Sequence, residues 1–268
     1  MTEPLDHLDH LARESDRFAE VIALADPDAG VPSCPDWTAA DLWWHLAEVQ
    51  AFWAGIVREG LTEIEQVEKL PDPPETRDPD ALRELYARST EQLRATLAEH
   101  PPATAVWTWS DDHSVGFIRR RQALEALIHR VDAELAAGDR TPMDPGLCSD
   151  GVDEVLRVMY GDHPSWGEFT PDPAATVRIS ASDTGVSWLV RIGRFVGTDP
   201  ATGEDVDEPD IGVSEHDDPT VPAEATVTGS AADLVCWLWH RPPTQPLRRS
   251  GDGAVLERFE GVIAEGIE

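Results

Sequence analysis

The feature that most constrains the fold of this chain is an uninterrupted helical stretch from Arg119 to Glu134. It is rich in Ala, Leu, Glu and Arg and contains no Gly or Pro, which favours a helix. Its apolar residues recur at helical spacing, at Leu124, Ile128, Val131 and Leu135. Beside this stripe lie Glu125, His129 and Asp132. Burying such groups is costly unless they share a cation or pair with each other. The stretch therefore carries half of a candidate metal site. The alternative is that Glu125 and His129 form an ordinary side-chain pair at the helix surface or at the edge of the core.

Three more amphipathic segments precede this helix. Residues 4–25 predict a first helix, Thr38 begins a second, and Asp78-Pro79 opens a third that His100 ends. The last helix is expected over residues 114–137 and stops at Gly138. Four helices of about 20 residues, each about 30 Å long, are sufficient for an antiparallel four-helix bundle. We assign this bundle to residues 1–140.

Histidines differ in their placement along these helices. His45 falls on the apolar stripe of the second helix, where it is either a functional residue or a core histidine satisfied by a carbonyl. Asp41 acts in a capping box with Thr38, which argues against it as a ligand. His7 and His10 lie among acidic residues at the expected frayed start of the first helix. We therefore expect both to be solvated.

The second half of the chain has a different pattern. Residues 139–146 read as a linker and residues 150–161 as a helix. β-Branched runs predict strands, which a Pro-rich acidic loop (199–222) interrupts, and two short helices follow. The expected strands are Thr176 to Ser182, Val186 to Val196, Ala223 to Thr228 and a short one near Leu247; the helices run through Leu234 to Arg241 and from Val255. We predict an α+β multidomain protein whose smaller domain, 150–268, has a mixed or antiparallel sheet.

Composition excludes several classes of partner. The chain has 268 residues and a formal net charge of −31, with 52 acidic against 21 basic residues. Such a surface repels nucleic acid and anionic membranes, and an anionic substrate would need a local arginine cluster. The three cysteines are scattered, without a CxxC, and no apolar run approaches 18 residues. We expect a soluble cytoplasmic protein, either a monomer or a homodimer.

Two motifs resemble a known family. They are Cys-Pro-Asp-Trp-Thr followed by Asp-Leu-Trp-Trp-His-Leu, and Arg-Arg-Gln-Ala-Leu-Glu-Ala-Leu-Ile-His-Arg-Val-Asp. Together they are similar to the mycothiol-dependent maleylpyruvate isomerase family, which belongs to the DinB-like metal-binding bundles. The segment Ala-Thr-Val-Thr-Gly-Ser-Ala-Ala-Asp-Leu with Trp-Leu-Trp-His-Arg looks like that family's second domain, related to sterol-carrier folds.

The resemblance implies a set of site residues. By position, the family's metal ligands fall on His45, Glu125 and His129, with zinc the expected ion. Spacing along the helix adds two roles beside these ligands. Asp132, one turn beyond His129, would hold the unligated imidazole nitrogen. Arg121, one turn before Glu125, would pair with it or with substrate, and a plain i,i+4 helix pair is an equal alternative. Arg241 in the second domain matches an arginine of the family and would bind a substrate carboxylate. An equal alternative is that Arg241 only stabilises the C-terminal end of its helix through the helix dipole. The implied chemistry is activation of a thiol, mycothiol in the family, as a metal-bound thiolate.

Three functions remain open at this stage. The first is a metal-dependent thiol S-transferase or isomerase. The second is a metal-dependent hydrolase on the same bundle. The third is a non-enzymatic protein that binds a lipid-like small molecule in its second domain.

Overall fold

A computed structural model describes residues 5–214 and 221–264. The chain divides into two compact units at Pro142/Met143. The first unit is helical and the second combines helices with a sheet, which confirms the predicted α+β class with a helical bundle followed by an α+β domain.

The first unit contains four long helices, one short helix and a small hairpin. The helices are α1 (His7–Ile22), α2 (Ala39–Glu59), the short α3 (Ile64–Val67), α4 (Pro79–Glu99) and α5 (Val115–Ala137). Strands β1 (Gly30–Val31) and β2 (Cys34–Thr38) pair antiparallel between α1 and α2. In the bundle, α1 packs chiefly against α5, and α2 chiefly against α4.

Local chemistry sets the helix ends. Thr38 and Asp41 form a capping box at the start of α2. The Asp41 carboxylate also forms an ion pair with Arg77, with 2.6 Å between Oδ1 and Nη2. Helix α4 begins with Asp78 as N-cap and Pro at its first position. Helix α5 ends at Gly138, which adopts the left-handed conformation that a side chain disfavours (φ 70°).

Apolar side chains from all four long helices fill the centre of the bundle. Those with no exposed surface include Phe18, Leu42, Leu46, Leu82 and Ala133. Helix α5 is central, because sixteen of its residues are buried and they lie on every side of the helix. A buried charged residue on α5 therefore needs partners from the bundle itself.

Two expectations for the first unit are wrong. His10 is buried, at 5% exposure, and its Nδ1 lies 3.1 Å from the Arg13 guanidinium. The helix start is not frayed there, because the Asp6 side chain accepts from the backbone N–H groups of the first turn. The connector before α2 contains the β1–β2 hairpin, for which the sequence pattern gave no prediction. The expected helix over 4–25 shortens to His7–Ile22, and residue 4 lies outside the described residues.

The second unit is built on a five-stranded mixed sheet. Helix α6 (Pro145–Glu154) continues as a π-helix (Val155–Met159). Four strands follow: β3 (Gly167–Ala181), β4 (Ser187–Thr198), β5 (Asp205–Val213) and β6 (Ala225–Gly229). The unit ends with α7 (Ala231–Leu238), β7 (Arg248–Gly251) and α8 (Gly253–Ile263). The strand order is β5-β4-β3-β6-β7, and β3 and β6 form its parallel pair. From Ala175 to the end of β3, alternate residues are buried, as a sheet with one covered face requires.

The strands differ from the expected ones at prolines. Strand β3 begins at Gly167 rather than Thr176, and an irregularity between Pro171 and Thr176 accommodates the prolines. The expected loop over 199–222 contains β5, an acidic edge strand with Pro209. Edge strands tolerate proline because one side of the backbone has no partner strand. Residues 215–220 of that loop lie outside the described residues.

Among the helices in the described parts of the chain, none is both long enough and apolar enough to cross a membrane.

The capping box of α2 gives a testable prediction, because this helix carries His45. The Thr38→Ala variant should lose about 1 kcal/mol of unfolding free energy, since the N–H of Asp41 loses its side-chain acceptor. Thr38→Ser keeps the hydroxyl and should remain close to wild type. Urea denaturation measures both, and equal stability of the two variants would contradict the assignment of the cap.

Candidate metal centre

Two helices of the bundle bring a carboxylate and two imidazoles together. Helix α5 supplies Glu125 and His129 on successive turns, and α2 supplies His45 from its second turn. One ligand atom from each of the three lies within 4.8 Å of the others. The three residues that the resemblance implied as ligands are therefore neighbours, and their role as ligands stays a prediction.

The Glu125 carboxylate lies at the centre of this cluster. Its Oε1 is 3.1 Å from Nε2 of His129 and 3.7 Å from Nε2 of His45. The two imidazole rings meet edge to face, with centroids 5.0 Å apart. The His45 side chain is 28% exposed and Glu125 is 18% exposed, whereas His129 is buried. Solvent can therefore reach the cluster on the His45 side, whereas the His129 side is buried.

Arg121 lies one helical turn before Glu125 and holds its second oxygen. The guanidinium Nη2 donates to Oε2 at 2.6 Å, and the Arg121 side chain is buried. Burial by itself raises the pKa of Glu125, but the charges of Arg121 and His129 outweigh it and hold that pKa well below its usual range. Glu125 is therefore an anion at neutral pH.

Asp132 lies behind His129 and is completely buried. Its Oδ2 is 2.9 Å from Nδ1 of His129. The same carboxylate accepts hydrogen bonds from Ser33 Oγ at 2.5 Å and from Cys34 Sγ at 4.0 Å. An acceptor at Nδ1 fixes the ring and leaves Nε2 directed at Glu125.

The protonation of His129 follows from these neighbours. Burial lowers its pKa, but the charge of Glu125 and the hydrogen bond to Asp132 outweigh burial and raise the pKa to about 9. Without a bound cation, His129 is therefore protonated at pH 7 and balances part of the charge on the two carboxylates.

Sequence reasoning missed the contribution of the β1–β2 hairpin. Ser33 in its turn and Cys34 at the start of β2 donate to Asp132, and β2 also carries Trp37. The Trp37 ring lies 4.7 Å from that of His45 and stacks on His129 at 6.2 Å, between centroids. The Cys-Pro-Asp-Trp-Thr motif contains Cys34 and Trp37, but its sequence gave no indication that this segment packs against α5.

Arg241 belongs to the second unit, just after α7. Its Nη1 donates to the Trp239 carbonyl at 2.6 Å. The carboxylate-binding role that the resemblance implied for Arg241 stays a prediction.

Comparisons with known proteins agree along the chain. Residues 8–134 match the family model described as the mycothiol maleylpyruvate isomerase N-terminal domain, and residues 147–258 match the MDMPI C-terminal domain. Among curated proteins there is no significant match.

Solved structures give the same fold. The crystal structure of the mycothiol-dependent maleylpyruvate isomerase superimposes with a TM-score of 0.59 at 16% identity, covering 92% of each chain. A crystal structure of a His-to-Ala mutant of that isomerase gives the same TM-score and coverage at 15% identity. Because the N- and C-terminal domain models match in order, this protein belongs to the mycothiol-dependent maleylpyruvate isomerase family.

Proposed function

We propose that this protein is a divalent-metal-dependent enzyme that uses a low-molecular-weight thiol, such as mycothiol, to attack an electrophilic small molecule. Cis–trans isomerisation of a maleylpyruvate-type substrate is one outcome, and S-transfer is another. The observation that carries the proposal is the convergence of His45, Glu125 and His129, in a member of a family named for a thiol-dependent isomerase.

The donor set fits a divalent ion. Two imidazole nitrogens and one carboxylate oxygen, within 4.8 Å of one another, are close enough to bind one ion together. Three protein ligands leave at least one coordination position open, as catalytic zinc sites do. Asp132 accepts at Nδ1 of His129, which leaves Nε2 as the ligand atom. This combination of nitrogen and oxygen donors suits zinc and also accepts other divalent transition metals.

The bound ion would supply one property, the deprotonation of a thiol whose pKa is otherwise about 8.5. Such a thiolate would add to a cis double bond conjugated to a carbonyl, and the electron pair of that double bond would move onto the carbonyl oxygen as an enolate. The former double bond would then rotate as a single bond, and collapse of the enolate with loss of the same thiolate would restore the double bond in the trans form. Protonation of the enolate and release of the adduct would instead give an S-transfer.

The residues around the donors orient them and limit access of water. Arg121 holds one oxygen of Glu125, so the carboxylate cannot rotate freely. Ser33 holds Asp132, which in turn holds the His129 ring. Trp37 packs against both imidazoles and shields them from water on that side. No cysteine of this chain is needed as the nucleophile, because the thiol comes from the cosubstrate.

Substitution of each proposed ligand tests the site. His45→Ala, Glu125→Gln and His129→Ala should each lose the bound metal and reduce thiol-dependent turnover by at least about a hundredfold, because two donors hold an ion weakly. Metal analysis of the purified variants and assays with a thiol and an α,β-unsaturated keto acid measure both effects. The matched control is His113→Ala, at an exposed histidine two residues before α5.

Full metal content and activity in any one of the three variants would contradict the ligand assignment. A metal-bound wild type that hydrolyses esters but ignores thiols would favour the hydrolase alternative. A wild type purified without metal, and unable to bind added zinc, would favour a non-enzymatic binding protein.

Asp132 should act through His129. Asp132→Asn keeps the shape but removes the carboxylate charge, so it should weaken zinc affinity by about 10- to 100-fold. Chelator competition measures the affinity, and circular dichroism checks that the fold is retained. Ser33→Ala removes only the hydrogen bond to Asp132 and should have a smaller effect in the same direction. Wild-type affinity in Asp132→Asn would contradict this role.

The proton on His129 predicts a pH dependence for metal-free protein. The pKa is raised from 6.5 to about 9 in the folded state. The protonated His129 therefore contributes to the free energy of unfolding fully below pH 6.5, and this contribution is lost as the pH rises through 9. Urea denaturation of chelator-treated protein at several pH values should show this loss, and His129→Gln should show a flatter profile. Identical profiles in the two proteins would contradict the prediction.

A further inference from the structure

A cavity of about 690 Å³ lies between α1 and α4 in the first unit. Helix α1 packs chiefly against α5, and α2 against α4, which leaves α1 and α4 in looser contact with each other. Short side chains line both walls: Ala19 and Ala23 on α1, and Ala87 and Ala95 on α4. The volume lies within the range of small-molecule sites, roughly 300 to 1,000 Å³. None of the three proposed metal ligands lines this cavity, so it is separate from the candidate metal centre.

The floor of this cavity is buried and uncharged. It is formed by Ser15, Trp43, Tyr86 and Thr90, each of which is less than a tenth exposed. The Tyr86 hydroxyl donates to the Ser15 carbonyl at 3.1 Å, and Thr90 Oγ1 donates to Oε1 of Gln50 at 2.5 Å. Gln50 Nε2 in turn donates to Ser15 Oγ at 3.2 Å. These polar groups therefore have partners within the protein, as buried groups normally do.

Trp43 is the exception on this floor. Its indole Nε1 is buried and has no hydrogen-bond partner in the part of the chain that the structure describes. Leaving a buried donor without an acceptor is costly, and such groups are rare in folded proteins. A ligand that rests on Trp43 and presents an oxygen to this N–H would remove that cost. The floor therefore favours a ligand with a hydrogen-bond acceptor.

The charged residues that line the cavity all lie at its exposed rim. They are Asp16, Glu20, Arg83, Glu91 and Arg94. Three carboxylates against two guanidinium groups, in a chain of net charge −31, repel an anionic ligand. A cationic ligand meets no carboxylate on the floor, and the Arg83 guanidinium already lies 6.0 Å from the centroid of the Trp43 ring. The electrostatics of the cavity therefore favour an uncharged ligand.

We propose that this cavity binds an uncharged, mostly apolar molecule that carries a hydrogen-bond acceptor, such as a ketone or an ester. The Trp43 N–H donates to the acceptor, and the apolar part packs on the alanines of α1 and α4. Trp43 and His45 lie on opposite faces of α2, because two residues along a helix are about 200° apart. The proposal therefore concerns a second site of the first unit and does not require the metal-dependent reaction.

Titration of chelator-treated protein with three naphthalene derivatives tests the chemistry of the ligand. They are 2-acetonaphthone, 2-ethylnaphthalene, which has a similar shape but no acceptor, and the anion 2-naphthoate. The ketone should bind about tenfold more tightly than the hydrocarbon, because one hydrogen bond separates them, and more tightly than the anion. Protein loaded with zinc should give the same affinities, which separates the result from the proposed catalysis. Absence of ketone binding, or equal affinity for the ketone and the hydrocarbon, would overturn the proposal.

The indole N–H of Trp43 gives a direct spectroscopic readout. Its NMR signal, assigned by its loss in Trp43→Phe, should move downfield when the ketone binds and less when the hydrocarbon binds, because a hydrogen bond deshields the proton. Trp43→Phe keeps an aromatic ring but removes the donor, so this variant should bind the two compounds equally. A preference for the ketone that persists in Trp43→Phe would show that this N–H is not the donor and would overturn the proposed site.

Two exposed alanines of α4 provide a matched pair of variants. Ala87→Leu places a larger side chain in the cavity and should weaken ketone binding by about tenfold or more, because the ligand needs that space. Ala98→Leu makes the same change at an exposed position that does not line the cavity, and should bind as wild type does. Equal effects of the two variants would overturn the proposal. A change of oligomeric state in Ala87→Leu, without ketone binding by wild type, would show instead that a second copy of the chain occupies this groove.

Discussion

The candidate site of the first unit is organised around one partly buried carboxylate. Glu125 lies among the Arg121 guanidinium, His129 and His45, and each contact offsets part of the cost of removing its charge from water. These partners come from two helices, so the helices must meet in one register. The capping box sets the start of α2, and with it the position of His45, while the β1–β2 hairpin fixes His129 from behind through Asp132. Placement of the cluster is thus a property of the whole bundle.

The cluster of His45, Glu125 and His129 can hold either a proton or, as proposed, a divalent cation. In the metal-free protein, the proton on His129 neutralises part of the charge of Glu125 and Asp132. A divalent ion would replace that proton and supply more positive charge, so the proposed site is stable in both states. Because the ion would compete with this proton, metal affinity should rise with pH.

The long helices could be predicted from sequence because their apolar periodicity and caps act locally. The pairing of Glu125 and His129 followed from their spacing, but the nearness of His45 could not be derived without the family resemblance, since it depends on how α2 packs. Ser33 and Trp37 were missed because a short hairpin has little periodicity. Strand β5 was missed because acidic residues and Pro209 resemble a loop, and only its place at the sheet edge makes them compatible with a strand. His10 was misplaced because its neighbours in sequence are acidic, whereas its burial depends on packing.

The central claim is that His45, Glu125 and His129 bind a metal ion that accepts a thiol. X-ray absorption spectroscopy of the zinc-loaded protein, with and without a low-molecular-weight thiol, tests it most directly. Nitrogen and oxygen neighbours alone should be present before the thiol is added, and afterwards a sulfur neighbour at about 2.3 Å should appear. A zinc environment that does not change on addition of saturating thiol would contradict the account.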